Sequence, residues 1–430
     1  MHHLIFISIL IFFNALILHP IKAETNSFGF DLIHRDSKFS PFYNQSLTDS
    51  ELSRKSFIRS LNRLNQFNSS MYIDGKFIGS SDLTDQGGDY LMTTYIGKVE
   101  GNPIKLVAYP SMLDYFTWVR CGSQDQSLYD PTKSSTYKPV TYGSEMCQAM
   151  KHTKEGESQV CKYKYRSSDD KFESSGVLST EAFYLNSPEK DEKFPGIVFG
   201  CDHSHEDDLE DGIQAVVGLG QGSKLSLVHQ LGRKVGGKFS YCLEQQSVTH
   251  ASKIRFGSDI ILYNRELEYK AKITYDNPYP FYYVTLEAIS INRKRTEIHR
   301  PMRVDIQTAI TTFPPKIYEQ LLDTLTKAAR GETPFKHQEY NTCFHKSRFS
   351  HGVPELKLHF KATFGSKAIF PLDPHHFLVF FDKIICLTIV PKEGAFYVLG
   401  NRAQVNVQMI FDLSNRVLTY APLNCIQFSV

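Results

Sequence analysis

Phe281-Tyr282-Tyr283-Val284-Thr285-Leu286-Glu287-Ala288-Ile289-Ser290-Ile291 is dense in aromatic and β-branched residues, the types that fit a pleated, half-buried strand. Working outward, similar short runs recur over 90–96, 197–199 and 396–399, cut by Gly, Pro and Asn turns. Helical periodicity is sparse. It is plain over 315–329, where Ile317, Leu321, Leu322 and Leu325 repeat behind the Pro314-Pro315 pair, a usual helix start. The 31 Phe and 23 Tyr against one Trp fit the same reading, a mainly β protein.

At 430 residues the chain has room for two domains or one large bilobal body plus terminal segments. An apolar share of 41% with 22% charged residues is globular. A net charge of +2 and the lack of a Lys/Arg stripe argue against a nucleic-acid partner. The apolar run from Leu4 to Leu18, ending near Ala23, reads as a secretory signal peptide and is too short to span a bilayer comfortably. With secretion as the expectation, extracellular or vacuolar, eight cysteines form an even set suited to an oxidising compartment.

Residues 24–85 differ in texture from the rest. Thr48-Asp49-Ser50 offers a helix N-cap with Glu51 in the first turn; Leu52, Phe57, Ile58, Leu61, Leu64 and Phe67 then share one face, with Arg54, Lys55, Arg59 and Arg63 elsewhere. The position of this basic amphipathic helix fits a docking prosegment, which also carries the N-x-S/T sites Asn44 and Asn68. Further on, Ala215-Val216-Val217-Gly218 has a counterpart in Tyr397-Val398-Leu399-Gly400, a weak sign of two similar lobes.

An ordered series of short motifs resembles the nepenthesin-like group of plant aspartic proteases, within the pepsin family. It comprises Gly29-Phe30-Asp31-Leu32-Ile33-His34-Arg35-Asp36, Asp89-Tyr90-Leu91-Met92, Asp130-Pro131 with Ser134-Ser135-Thr136-Tyr137, and Val198-Phe199-Gly200-Cys201. Val217-Gly218-Leu219-Gly220, Phe239-Ser240-Tyr241-Cys242-Leu243, Phe281-Tyr282-Tyr283-Val284 and Leu399-Gly400-Asn401 continue it. The resemblance implies a bilobal pepsin-like acid protease fold with an interlobe cleft. The expected organisation is a signal peptide over 1–23, a prosegment over 24–85, an N-terminal β lobe over 86–260 and a C-terminal β lobe over 261–430.

The family's chemistry needs two aspartates sharing one proton, one ionised to activate water and one protonated to polarise the scissile carbonyl. Each stands in an Asp-Thr/Ser-Gly loop, and this chain has neither form of that motif. Counting back from Trp118 puts Ser111 at the first position; counting forward from Ile96-Gly97 puts Ala108 there. Asp114 is near but displaced along the chain. Counting back from Pro314 places Asp305 at the second position, followed by Ile306, Gln307 and Thr308, and the missing Gly is expected to strain or rebuild that loop. Where the family carries its flap Tyr, the chain reads Arg166-Ser167-Ser168-Asp169-Asp170, leaving Tyr163 or Tyr165 as shifted alternatives. Asp305 is thus the one candidate catalytic residue.

The resemblance pairs Cys242 with Cys425, Cys343 with Cys386 and Cys147 with Cys161. The family's further cysteines after Trp-x-x-Cys are absent here, which strands Cys121 and Cys201 and leaves them to pair with each other. No C-x-x-C or zinc-like spacing occurs; His203-Ser204-His205-Glu206-Asp207-Asp208 reads as a solvated polar loop and Asp373-Pro374-His375-His376 as a turn. No Gly-x-Ser-x-Gly is present. The expectation is a secreted, monomeric aspartic-endopeptidase homologue that has lost its activity, with no cofactor or metal. Its partner is expected to be a peptide or protein in the cleft, with no nucleic acid and no membrane. Two alternatives stay open: peptidase activity through Asp305 and a non-standard second acid, or a non-catalytic binder of secreted glycoside hydrolases.

Overall fold

The structure, a computed structural model, describes residues 28–66, 72–73, 76–77, 87–123, 128–150, 153–155, 159–167, 172–185, 192–204, 209–244, 251–258, 260–274 and 280–429. The apolar leader, Phe67, Asn68 and the 205–208 part of the polar loop lie outside them. Strand β1 (Phe28–His34) runs antiparallel between Ser252–Phe256 and the start of β2 (Tyr90–Val99), pairing Phe30 with Ile254 and Leu32 with Met92. Its period-two alternation buries Phe30 and Leu32.

Helix α1 (Asp49–Gln66) begins as its sequence suggests. The Thr48 amide donates to Glu51 Oε2 across 2.7 Å and the Glu51 amide donates back to Thr48 Oγ1 across 3.3 Å, a reciprocal box that satisfies two otherwise orphaned donors. Its apolar face packs on the second lobe: Phe57, Leu61 and Leu64 join Ile310, Tyr340, Val379, Val390, Val398 and the Cys343–Cys386 bridge. Two arginines depart from the expected polar face, since Arg59 and Arg63 are buried. Arg59, at 1% exposure, is neutralised in place by Asp36 and by Asp89, the latter at 2.9 Å. An ion pair supplied by other segments overrides the helical pattern.

The body is mainly β. Strand β3 (Asn102–Ser111) returns from β2 as a hairpin and then lies parallel to β4 (Ala215–Gly218). In the second lobe β5 (Tyr269–Thr274) leads to β6 (Tyr283–Ile291), which pairs on one side with β7 (Lys294–Val304) and on the other with Leu356–Phe360. Helix α2 (Pro315–Ala328) buries Ile317, Leu321 and Leu325, and β8 (Tyr397–Leu399) lies parallel to the end of β7. Parallel pairs β3–β4 and β7–β8 therefore occupy corresponding places in two lobes. All four expected disulfides are formed, including Cys121–Cys201 with Cα atoms 5.5 Å apart. Asp373-Pro374-His375-His376 is a capped helical turn, Asp373 accepting from the His375 amide while His376 accepts from the Asp373 amide.

Candidate functional site: two loops at the lobe junction

The two parallel pairs fix which residues correspond. In the first lobe Gly218 stands opposite Ser111. In the second Leu399 stands opposite Val304, and the Asp305 amide donates to the Leu399 carbonyl. Six residues beyond each position a threonine hydroxyl accepts from the facing glycine: Gly218 N to Thr117 Oγ1 at 3.1 Å, and Gly400 N to Thr311 Oγ1 at 3.1 Å. Ser111 is therefore the counterpart of Asp305. Ala108 is a buried strand residue opposite Ala215.

The loop turn is kept in both lobes. The amide two residues on points back at the side chain, Gln307 N to Asp305 Oδ1 at 2.8 Å and Leu113 N to Ser111 Oγ at 3.3 Å. Neither Gln307 nor Leu113 has a positive φ, so the loss of glycine has not strained the backbone as expected. Three residues on, acid and hydroxyl have exchanged places: Thr308 Oγ1 donates to Asp305 Oδ2 at 3.0 Å, whereas Ser111 Oγ donates to Asp114 Oδ2 at 2.8 Å.

Where glycine is expected, each loop sends a side chain into the opposite lobe. Gln307 Nε2 donates to the Pro110 carbonyl at 2.6 Å and the Tyr90 carbonyl at 3.0 Å, while its Oε1 accepts from the Tyr90 amide at 3.1 Å. The amide lies so close to Gly88 that a Cβ there would stand 2.0 Å from Oε1, which explains a glycine at that point. Leu113 is buried among Phe281, Tyr283 and Phe396 of the second lobe. Hydrogen bonds and apolar contact thus close the junction from both sides.

Asp305 is 1% exposed. Its carboxylate meets Arg303 Nη2 at 3.2 Å, besides Gln307 N and Thr308 Oγ1, and among the described residues no second carboxylate bonds to it. Arg303 lies over the rings of Phe281 and Phe396, 5.4 and 5.2 Å from their centroids, and Lys392 Nζ stands 3.9 Å from the Phe396 centroid. Burial, with the Arg303 charge adding to it, pushes the Lys392 ammonium down to about 8. Sequence reasoning missed both cations. The available signal for Arg303 was its spacing: with Met302 and Val304 turned into the core, period two sets Arg303 on the other face, the one it shares with Asp305 two places on.

Ser168, Asp169 and Asp170 lie outside the described residues; of the two shifted flap candidates, Tyr165, on the strand Cys161–Arg166, is the one that reaches the first loop. Its hydroxyl donates to Asp114 Oδ1 at 2.8 Å and its ring packs against Tyr115 and Phe116. Tyr163 bonds instead to Ser174. Chemically the arrangement holds two separated carboxylates, one bonded to a serine and a tyrosine and the other to a guanidinium.

Two similar lobes meeting at paired loops of this geometry define a pepsin-type body. Residues 90–258 match the family described as Xylanase inhibitor N-terminal, and residues 281–422 the one described as Xylanase inhibitor C-terminal. The chain is 29% identical over 438 residues to a probable aspartic protease of Arabidopsis thaliana, with 94% of this chain and 95% of that one covered. It is 22% identical over 426 residues to aspartic proteinase nepenthesin-1 of Nepenthes gracilis, covering 95% and 92%. The solved structure of conglutin gamma, a basic 7S globulin from lupine seeds, is similar with a TM-score of 0.62 at 18% identity, covering 77% and 91%. The chain belongs to the nepenthesin-like, pepsin-family group of plant aspartic protease-like proteins.

Proposed function

We propose that this protein is a non-hydrolytic member of its family, a secreted binding body in which the peptidase site has been closed. One observation carries the reading: Ser111 stands where the first aspartate belongs, so Asp305 faces Arg303 in place of a partner carboxylate. A carboxylate dyad works because one member can hold the proton the other has released. A guanidinium has no proton to lend near neutral or acidic pH. Asp114 is the nearest stand-in for the missing acid, and its carboxylate is bonded to Ser111 and Tyr165. Leu113 and Gln307 support the same reading, since their side chains tie each loop to the opposite lobe where the family motif has only glycine. The experiment is calorimetric titration at about pH 4 with a statine-type peptide, which mimics the tetrahedral intermediate between two aspartates. No heat of binding is expected; stoichiometric binding displaced by substrate peptides would overturn the reading.

A second reading is favoured by the family descriptions. The matched domains are described as those of a xylanase inhibitor, which supports a secreted glycoside hydrolase as the bound partner. Loss of endoxylanase activity on adding the protein, with a one-to-one complex by size exclusion, is the expected result; full xylanase activity at saturating protein counts against it.

A further inference from the structure

Away from the lobe junction, residues 361–368 join the strands Leu356–Phe360 and Ile369–Leu372. The Ser366 amide donates to the Thr363 carbonyl at 3.1 Å, and Gly365 has a φ of +73°. This suits the second corner of a type II turn, where glycine is favoured, and leaves Phe364 at the first corner. Phe364 is fully exposed.

The turn is fastened to β5. Thr363 N donates to the Lys270 carbonyl at 3.1 Å, Lys270 N to the Lys367 carbonyl at 2.8 Å and Lys272 N to the Lys361 carbonyl at 2.9 Å. Alternation along β5 buries Ala271 and Ile273 and turns Lys270 and Lys272 outward. Arg416 joins the same edge, its carbonyl accepting from Ile273 N at 2.9 Å. Lys270 is paired with Glu268 at 3.0 Å. Lys272, Lys361, Lys367 and Arg416 are exposed and, among the described residues, belong to no ion pair.

We propose that this tip docks on the surface of a bilayer containing anionic lipid, with Phe364 entering the headgroup region and the four cations facing lipid phosphates and carboxylates. A stable protein interface needs about 800 Å² from each partner and several buried anchors. A projecting turn with one aromatic ring falls short of that, whereas a bilayer needs no shaped pocket and rewards an apolar tip beside a cationic edge. Each cation close to such a surface strengthens binding about fivefold. The inference is independent of the cleft. It departs from the sequence expectation of no membrane partner, which rested on the absence of a spanning segment; among the described residues no helix is long and apolar enough to cross a membrane.

The test is co-sedimentation of the full secreted chain with vesicles of phosphatidylcholine alone and with phosphatidylserine added at roughly 1 part in 4. Binding to the anionic vesicles only, released by about 0.5 M salt, is expected. Phe364→Ser should lower the partition coefficient about fivefold or more, and Lys361→Ser with Lys367→Ser more than about tenfold. Tyr142→Ser, at another exposed aromatic, should leave it unchanged. Absence of wild-type binding, equal binding to neutral vesicles, a Phe364→Ser variant that binds like wild type, or an equal loss in Tyr142→Ser would each overturn the proposal.

Discussion

The Ser111 hydroxyl donates to the Asp114 carboxylate at 2.8 Å, the reverse of the second lobe, where the Thr308 hydroxyl donates to Asp305 at 3.0 Å. The first loop keeps its shape and its acid–hydroxyl bond while the acid moves three residues along. Restoring the acid alone does not undo this. In Ser111→Asp the new carboxylate loses the Ser111–Asp114 bond and comes close to a second buried charge, while Leu113 and Gln307 stay in place. This variant is expected to show no peptidase activity and a melting temperature several degrees lower, about 1–3 kcal/mol of stability. Measurable cleavage by Ser111→Asp would show that the filled glycine positions are no obstacle.

Gln307 satisfies three backbone groups of the first lobe. Gln307→Ala leaves them buried without that partner and is expected to cost about 2–4 kcal/mol in urea unfolding, without any gain of activity. A change below about 0.5 kcal/mol would mean that the amide does not hold the junction.

The N-terminal segment is held by Arg59 between Asp36 and Asp89. Arg59→Met strands two buried carboxylates, and breaking a buried pair from one side costs about 3–5 kcal/mol. Limited proteolysis should then cut within residues 49–66, which the wild type protects. Equal protection in the variant would locate the hold in the Phe57, Leu61 and Leu64 contacts alone.

Acid should destabilise the fold in two windows. Burial holds the imidazoles of His34 and His376 below 6.5, and for His34 this outweighs the raising effect of Asp89 and Asp36, with Arg59 and Arg402 adding to the lowering. For Asp89, burial alone would raise the carboxyl, but Arg59, His34, Asn401 and Ser56 together hold it below 3.8. In each case the folded pKa lies below the unfolded value, so the unfolded chain binds more protons and stability falls as the pH drops through the gap. Melting temperature is expected to decline first below about pH 6.5 and again below about pH 4, with His34→Asn lessening the upper step. A flat profile between about pH 7 and 5 would contradict the histidine part.

Much of this was legible in the residues. Aromatic and β-branched runs marked the strands, and the Thr48–Glu51 box marked the start of α1 because capping is a local effect. Asp305 was found by its distance from Pro314. The first-lobe position stayed open between Ser111 and Ala108, because that choice depends on a parallel pairing with Gly218, about a hundred residues away. The periodicity of α1 places Arg59 off the apolar stripe and no more, because it says nothing of Asp36 and Asp89, which bury it. The cross-lobe reach of Gln307 and Leu113 was hidden for the same reason: both were seen as missing glycines, and what a new side chain meets is set by the other lobe.

The most direct measurement is cleavage of an unfolded protein substrate by the purified wild-type chain, with residues 24–85 both present and removed, between roughly pH 2 and 6. Asp305→Asn, prepared in parallel, identifies any contaminating protease. No turnover is expected in any sample, or a trace equal in wild type and Asp305→Asn. Turnover by the wild type that Asp305→Asn abolishes would contradict it, and would mean that Asp305 finds a second acid despite Arg303.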